Sequence, residues 1–184
     1  MTNHAVFLDR DGVLNRAIVR DGKPYPPATA EQAEIVPRAR ESLLRLKKAG
    51  LLLFVVTNQP DVARGQADIS VIEDIHRKLS SNLPLDDFFV CPHDDSDQCS
   101  CRKPLPGLFF TAAARYQVDL KRSFMVGDRW RDVEAGQAAG CRTVWIDYHY
   151  RERGPLRPPD AVVSSLAEAV DWILSQATTH SKGD

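Results

Sequence analysis

Short apolar runs alternate along the chain with segments whose apolar residues recur every three or four positions. That alternation marks strands separated by amphipathic helices. Ala5–Leu8 is wholly apolar and of strand length, and Asp9-Arg-Asp-Gly12 follows it at once. Pro37 opens a helix at a favoured first-turn position, with Ala39, Leu43, Leu44, Leu46 and Ala49 on its stripe and Gly50 as its stop. Leu52–Val56 is the next strand, and Ile72, Ile75, His76 and Leu79 predict a helix over Ile69–Leu79, with His76 on a helix face. Further strands are predicted at Phe88–Val90, Phe124–Val126, Thr143–Ile146 and Ala161–Val163. Further helices are predicted over Pro106–Tyr116, over Trp130–Ala139 with Gly140 as stop, and over Leu166–Leu174. Asp21–Pro27 and Arg151–Pro159 read as loops, and the polar tail Gln176–Asp184 as frayed.

Strands separated by helices predict an α/β fold, a central parallel sheet with helices on both faces. In such sheets ligands bind beyond the carboxyl ends of the strands. The residues expected there are Asp9-Arg10-Asp11 after the first strand, Thr57-Asn58 after the second, and Gly127-Asp128 after the strand at Phe124. Groups far apart in sequence thus meet at one edge of the sheet.

Length and charge narrow the range of functions. A chain of 184 residues suits one domain, expected over residues 1–175. The longest apolar run, Leu51–Val56, is strand-sized and far short of the roughly 20 residues needed to span a bilayer. A formal net charge of −1 supplies no field toward nucleic acid or membrane. No basic segment followed by an apolar signal core stands at the N-terminus, so a cytoplasmic monomer acting on a small molecule is expected.

The chemistry lies in the strand-end residues. Asp9 and Asp11 are two apart, so on an extended chain their carboxylates point to one side and repel. A hard divalent cation relieves that repulsion, and Mg²⁺ suits protein oxygens, water and phosphate together. Asp128 can add an oxygen from a neighbouring strand, and Asp132, one helical turn on, can support it. A carboxylate can attack phosphorus to form an aspartyl-phosphate. A second carboxyl can protonate the leaving alkoxide and then deprotonate water. Lys103 is a candidate cation and Thr57 a candidate donor for the transferred phosphoryl group.

Asp9-Arg-Asp-Gly-Val-Leu-Asn15, Thr57-Asn-Gln59, Lys103 and Gly127-Asp-Arg-Trp-Arg-Asp132 together resemble the four motifs of the haloacid dehalogenase (HAD) superfamily. The resemblance implies that Asp9 is the nucleophile and Asp11 the acid/base. It gives Thr57 to phosphate binding and Lys103 to charge neutralisation. It assigns Mg²⁺ to Asp9, Asp128 and the backbone carbonyl of Asp11. An acidic residue at position 11 is typical of the phosphatases of that superfamily.

Cys91-Pro-His93 and Cys99-Ser-Cys101 form a C-x-H-x5-C-x-C pattern. Three thiolates and an imidazole match a closed, structural Zn²⁺ site, and this spacing favours a metal over a chance cluster of free thiols. Asp94, Asp95 and Asp97 within the loop 91–101 are expected to be solvated, and Cys141 to be a small core or edge residue rather than a reactive one. The loop leads directly into Arg102-Lys103, so zinc is expected to fix how these cations approach the site.

With Ala63-Arg-Gly65 and Arg102-Lys-Pro-Leu-Pro-Gly107, the cysteine loop is similar to two compact branches without a large cap domain. They are the D-glycero-D-manno-heptose 1,7-bisphosphate 7-phosphatases and the histidinol-phosphate phosphatase domains. The substrate loop that this resemblance implies falls near Ala17–Arg20, making Arg20 a candidate contact beside Asn58, Gln59 and Arg102. Arg64 and Arg129 are further candidates. Two readings of other classes compete, a phosphoacceptor signalling domain and a zinc-dependent binding module. Asp11 argues against the first, and the lack of a basic, aromatic-rich stripe against nucleic-acid binding by the second.

Overall fold

A computed structural model describes residues 2–179. In chain order the elements are β1 (Ala5–Leu8), β2 (Ile18–Arg20), β3 (Lys23–Tyr25), α1 (Ala39–Lys48), β4 (Leu52–Asn58), α2 (Ile69–Asn82) and β5 (Asp87–Cys91). They continue as α3 (Gly107–Tyr116), β6 (Phe124–Gly127), α4 (Trp130–Ala139), β7 (Arg142–Ile146), β8 (Ala161–Val163) and α5 (Leu166–Thr179). Six strands form one parallel sheet in the order β5-β4-β1-β6-β7-β8.

β1 lies inside the sheet and all four of its residues are buried, which explains its unbroken apolar sequence. Alternate residues serve opposite faces. Val6 and Leu8 join the core built with Leu43 and Leu46 of α1, Ile75 and Leu79 of α2, and Val170 and Ile173 of α5. Ala5 and Phe7 face the second core, with Leu108 and Phe109 of α3 and Ala135 of α4; Cys141 belongs to this core, as the sequence reading expects. Register then sets the site. Leu8 pairs with Val55 on one side and Val126 on the other, so Asp9 emerges between Val56-Thr57 and Gly127-Asp128. The amide of Asp9 continues the ladder, donating to the Val126 carbonyl at 3.0 Å.

Several boundaries differ from the sequence reading. α1 starts at Ala39 rather than being opened by Pro37, because Arg38 between them lies in the left-handed region at φ 60°. β4 extends through Thr57 and Asn58 because β5 pairs with it as far as Asn58 opposite Cys91. The functional residues therefore stand on the strand itself, held by ladder bonds. α2 runs on to Asn82, whose side chain donates to the Lys78 carbonyl at 2.8 Å. α5 continues to Thr179, so Gln176–Thr179 are helical rather than frayed, with no glycine or proline to stop them. Residues 180–184 of the expected tail lie outside the described residues.

The stretch Asp21–Pro27 is a hairpin arm rather than a loop. Asp21 and Gly22 have φ of 51° and 77°, the two left-handed residues of a type I′ turn, and β2 and β3 pair around them. Asp-Gly is a strong hairpin signal, and the three nearby prolines mask it. Among the described residues no separate cap domain stands over the strand ends, and no helix is long and apolar enough to cross a membrane.

Candidate active site

The strand ends open into a cavity of about 390 Å³ whose floor includes Asp9, Thr57, Lys103 and Asp132. Lys103 is fully buried, and its three ammonium protons all have acceptors. Nζ donates to Asp9 Oδ1 at 2.8 Å, to Asp132 Oδ1 at 2.5 Å and to the Val56 carbonyl at 2.8 Å. Burial opposes the charge, but Asp132 and Asp9 outweigh it and hold the ammonium above the ordinary lysine pKa. Asp9 meets the reverse balance: burial and repulsion from Asp132 outweigh Lys103 and raise its pKa to about 6.

Asp128 adds a third buried carboxylate beside Asp9 and Asp132, against a neighbouring cavity that Tyr150 also lines. Oδ2 accepts the Tyr150 hydroxyl at 2.9 Å, whereas Oδ1 is buried with no partner among the described residues. Burial and the nearby Asp9 push its pKa well above the ordinary value. Oxygens of Asp9, Asp128 and Asp132 lie within 4.8 Å of one another. Three clustered carboxylates, only two of them bonded to the one ammonium and the third with an orphaned oxygen, suit a hard divalent cation.

The motif glycines are explained by close approach. Gly12 has φ of +90°, and a Cβ there would lie 1.9 Å from Asp128 Oδ2. A Cβ on Gly127 would lie 2.1 Å from the Asp132 Cβ. Both glycines therefore let a carboxylate press against backbone.

Asp11 stands apart from this cluster. Its carboxylate receives Arg10 Nη2 at 2.9 Å, Asn15 Nδ2 at 2.9 Å and Gln59 Nε2 at 3.0 Å. Burial raises its pKa, but Arg10 and these bonds outweigh burial and leave it below the ordinary carboxylate value. The repulsion expected between Asp9 and Asp11 is thus relieved inside the chain, and the chief repulsion on Asp9 comes from Asp132. Only the backbone carbonyl of Asp11 remains for the metal role that the resemblance implies. Arg10 is fully buried, and sequence reasoning missed it because an arginine between two carboxylates reads as exposed. His76 stacks on Phe88 at 4.5 Å behind Arg10, and burial together with Arg10 lowers its pKa to about 4.

The residues after Thr57 depart from the expected substrate contacts. Asn58 uses both ends of its amide on the Lys103 backbone, donating to its carbonyl and accepting from its N–H, each at 3.0 Å. Gln59 is buried and donates to Asp11 Oδ2 and, at 2.8 Å, to Thr57 Oγ1. With its oxygen accepting from Gln59, the Thr57 hydroxyl keeps its own proton to donate into the cavity. Asn58 and Gln59 therefore hold the site's geometry. Arg20 is not brought to the cavity: it is exposed with its guanidinium 5.7 Å from the Tyr25 ring centre, whereas Lys23 across the hairpin lines the cavity.

Cys91, His93, Cys99 and Cys101 converge, with their ligand atoms within 4.8 Å of one another and no disulfide among them. Neighbouring ligand atoms are 3.2 to 3.7 Å apart. A tetrahedron with Zn–S bonds of about 2.3 Å has edges of about 3.7 Å, so the four residues fit zinc. The loop's aspartates are not merely solvated, because arginines from three segments reach them. Asp94 takes Arg64 in a two-pronged pair at 2.9 and 2.7 Å, and these bonds lower its pKa to about 2. Asp95 accepts from Arg102 at 2.7 Å and from Arg131 at 3.5 Å, and Asp97 receives the Asp94 amide at 2.7 Å. Arg129 pairs with Glu152. The loop thus anchors arginines that line the cavity.

Comparison with known proteins gives a consistent result. The HAD-hydrolase-like family matches residues 100–169. A D-glycero-beta-D-manno-heptose-1,7-bisphosphate 7-phosphatase of Bordetella bronchiseptica is 38% identical over 94% of this chain and 98% of its own. An enzyme of the same name from Helicobacter pylori is 33% identical, again over 94% of this chain and 98% of its own. The crystal structure of D,D-heptose 1,7-bisphosphate phosphatase from B. bronchiseptica, complexed with magnesium and phosphate, superposes with a TM-score of 0.81 at 32% identity. That match covers 94% of this chain and 99% of the other.

The raised Asp9 pKa has a consequence for stability. In metal-free protein the fold retains a proton on Asp9 that the unfolded chain, with a pKa of 3.8, releases. The associated stability is complete below pH 3.8 and is lost as pH rises through about 6. In chelator, Asp9→Asn is expected to be more stable than the wild type at pH 7 and to lose that advantage near pH 4, as read by urea denaturation. An advantage independent of pH would contradict the raised pKa.

Proposed function

The chain belongs to the family of the D-glycero-β-D-manno-heptose-1,7-bisphosphate 7-phosphatases, HAD-like phosphatases, and from that membership we propose that it removes the C7 phosphate of a heptose 1,7-bisphosphate through an aspartyl-phosphate on Asp9. The observation that carries this reading is Asp9 on the cavity floor, bonded to the buried ammonium of Lys103 at 2.8 Å.

Asp9 attacks phosphorus, and its carboxylate is kept in line by Lys103. The same ammonium offsets charge gathering on the phosphoryl oxygens, and the Thr57 hydroxyl donates to one of them. Asp9, Asp128 and the backbone carbonyl of Asp11 would hold Mg²⁺, which would supply further charge neutralisation for the phosphoryl group. Asp11 protonates the leaving C7 alkoxide. In the resting site Arg10 opposes that protonated form, and an entering phosphate dianion counters Arg10 by repelling the carboxylate. Asp11 then takes a proton from water, and the resulting hydroxide attacks the aspartyl-phosphate. For this second step the Arg10, Asn15 and Gln59 bonds already hold Asp11 in its basic form.

Arg102 is the leading contact for the rest of the substrate. Its side chain is mostly buried against the cysteine loop, and it lines the cavity beside Arg64, Arg129 and Arg131. Guanidinium groups suit the second phosphate and the hydroxyls of a sugar bisphosphate. Zinc on Cys91, His93, Cys99 and Cys101 keeps this wall in place. A thiolate-rich site of this kind belongs in a reducing compartment, which supports a cytoplasmic location. The same reading takes the enzyme to act as a monomer.

Steady-state kcat/KM for heptose 1,7-bisphosphates, histidinol phosphate and a panel of other sugar phosphates tests the substrate. The heptose bisphosphates are expected to lead by at least about tenfold, roughly 1.4 kcal/mol of transition-state discrimination. Histidinol phosphate in first place would overturn the assignment. Asp9→Asn is expected to abolish turnover, while Asp11→Asn slows both steps with Mg²⁺ binding retained. Wild-type turnover by either variant would reassign the roles.

The zinc reading has its own test. Elemental analysis is expected to find one zinc per chain and none in Cys99→Ser, together with a lower kcat/KM in that variant. Zinc-free protein with unchanged kcat/KM and melting temperature would show that the loop does not position the arginine wall.

A further inference from the structure

The two oxygens of the Asp128 carboxylate have different surroundings. Oδ2 accepts the Tyr150 hydroxyl at 2.9 Å and also lies against the backbone of Gly12, where an added Cβ would come within 1.9 Å. Oδ1 is buried and has no partner among the described residues. The residue's backbone is held from the same side, because Trp145 Nε1 donates to the Asp128 carbonyl at 3.0 Å. One carboxylate oxygen is therefore tied back and the other left free beside Asp9 and Asp132.

Tyr150 lies in the segment after β7, outside every motif that marks the site in the sequence. Its neighbours seat it. The Arg151 amide donates to the Gly22 carbonyl in the hairpin turn at 2.7 Å, and the Glu152 carboxylate grips Arg129. Consecutive residues thus hold the Asp128 carboxylate, the turn of the β2–β3 hairpin and a guanidinium of the cavity wall.

We propose that Tyr150 is a positioning residue for the magnesium site: its hydroxyl fixes the rotation of the Asp128 carboxylate so that Oδ1 stands ready as a cation ligand. This rests on the assignment of Asp9 and Asp128 to Mg²⁺. A carboxylate without that hydrogen bond turns about its Cβ–Cγ bond and must be ordered when the ion binds. Groups that orient a ligand in this way typically govern metal affinity by about 10- to 100-fold.

Calorimetric titration of the zinc-loaded protein with Mg²⁺ tests the proposal, using the wild type, Tyr150→Phe and Asp128→Asn. Tyr150→Phe removes only the hydroxyl and is expected to raise the Kd for Mg²⁺ by about 10- to 100-fold. At saturating Mg²⁺ its kcat is expected to stay within a few-fold of the wild type. Asp128→Asn is expected to lose measurable Mg²⁺ binding. A wild-type Kd in Tyr150→Phe, with binding lost in Asp128→Asn, would overturn the role of Tyr150. A wild-type Kd in Asp128→Asn would instead overturn the ligand assignment beneath it. Melting temperatures separate a merely structural role, because the gain in melting temperature at a fixed Mg²⁺ concentration reports affinity. That gain is expected to shrink in Tyr150→Phe; a lower melting temperature without Mg²⁺ but an undiminished gain would also overturn the proposal.

Discussion

A single buried ammonium organises this site. Lys103 comes from the end of the cysteine loop, reaches under the sheet edge and joins Asp9 at the tip of β1, Asp132 in the first turn of α4 and the carbonyl of Val56 in β4. Three elements converge on one charge. Removing Asp132 takes away the larger of the two carboxylate contributions that hold that charge, and removing the lysine leaves carboxylates crowded together. Much of the surrounding sequence serves this arrangement. β4 and β5 stay paired past the expected strand end, which sets Asn58 where its amide can grip the Lys103 backbone from both sides. Gly127 lets Asp132 come against the strand end.

The same electrostatic logic extends to the rim of the cavity. Arg64, Arg102, Arg131 and Arg129 each face a carboxylate of this chain, and three of the four pair with aspartates of the cysteine loop. These pairs keep the guanidiniums extended and aimed while the cavity is free of substrate. A phosphate entering the cavity meets donors already in place, so less side-chain ordering is needed on binding. Asp94 and Asp95 of the cysteine loop anchor one end of that wall and Glu152 the other, which is how a site without a large cap keeps its shape.

Much of this was legible in the sequence. β1 and β8 fall where the apolar runs begin and end, and the order of elements implied a parallel sheet with its chemistry at one edge. Asp9 and Asp128 meet because they follow neighbouring strands of such a sheet, and Lys103 joins Asp9 from the end of the cysteine loop. The cysteine cluster was equally plain, since Cys91, His93, Cys99 and Cys101 are close in sequence. What escaped the sequence depends on loops folding back over long distances. Arg10 looked like an ordinary charged residue, yet it is buried as the partner of Asp11. Tyr150 and Glu152 stand more than twenty residues from the groups they hold. Asn58 and Gln59 have the right chemistry for substrate but direct it at Lys103, Asp11 and Thr57. Arg20 pairs across the hairpin with the residue that reaches the site, because the Asp21-Gly22 turn carries Lys23, not Arg20, to the cavity.

The covalent role of Asp9 is tested most directly by the stereochemistry of transfer. A substrate whose phosphorus is made chiral with the stable isotopes of oxygen can be turned over with an acceptor alcohol in place of water, and the configuration of the product read by phosphorus NMR. Attack by Asp9 followed by attack of the acceptor gives two in-line displacements, each inverting phosphorus, so overall retention is expected. Overall inversion would mean a single direct displacement and would contradict an aspartyl-phosphate on Asp9.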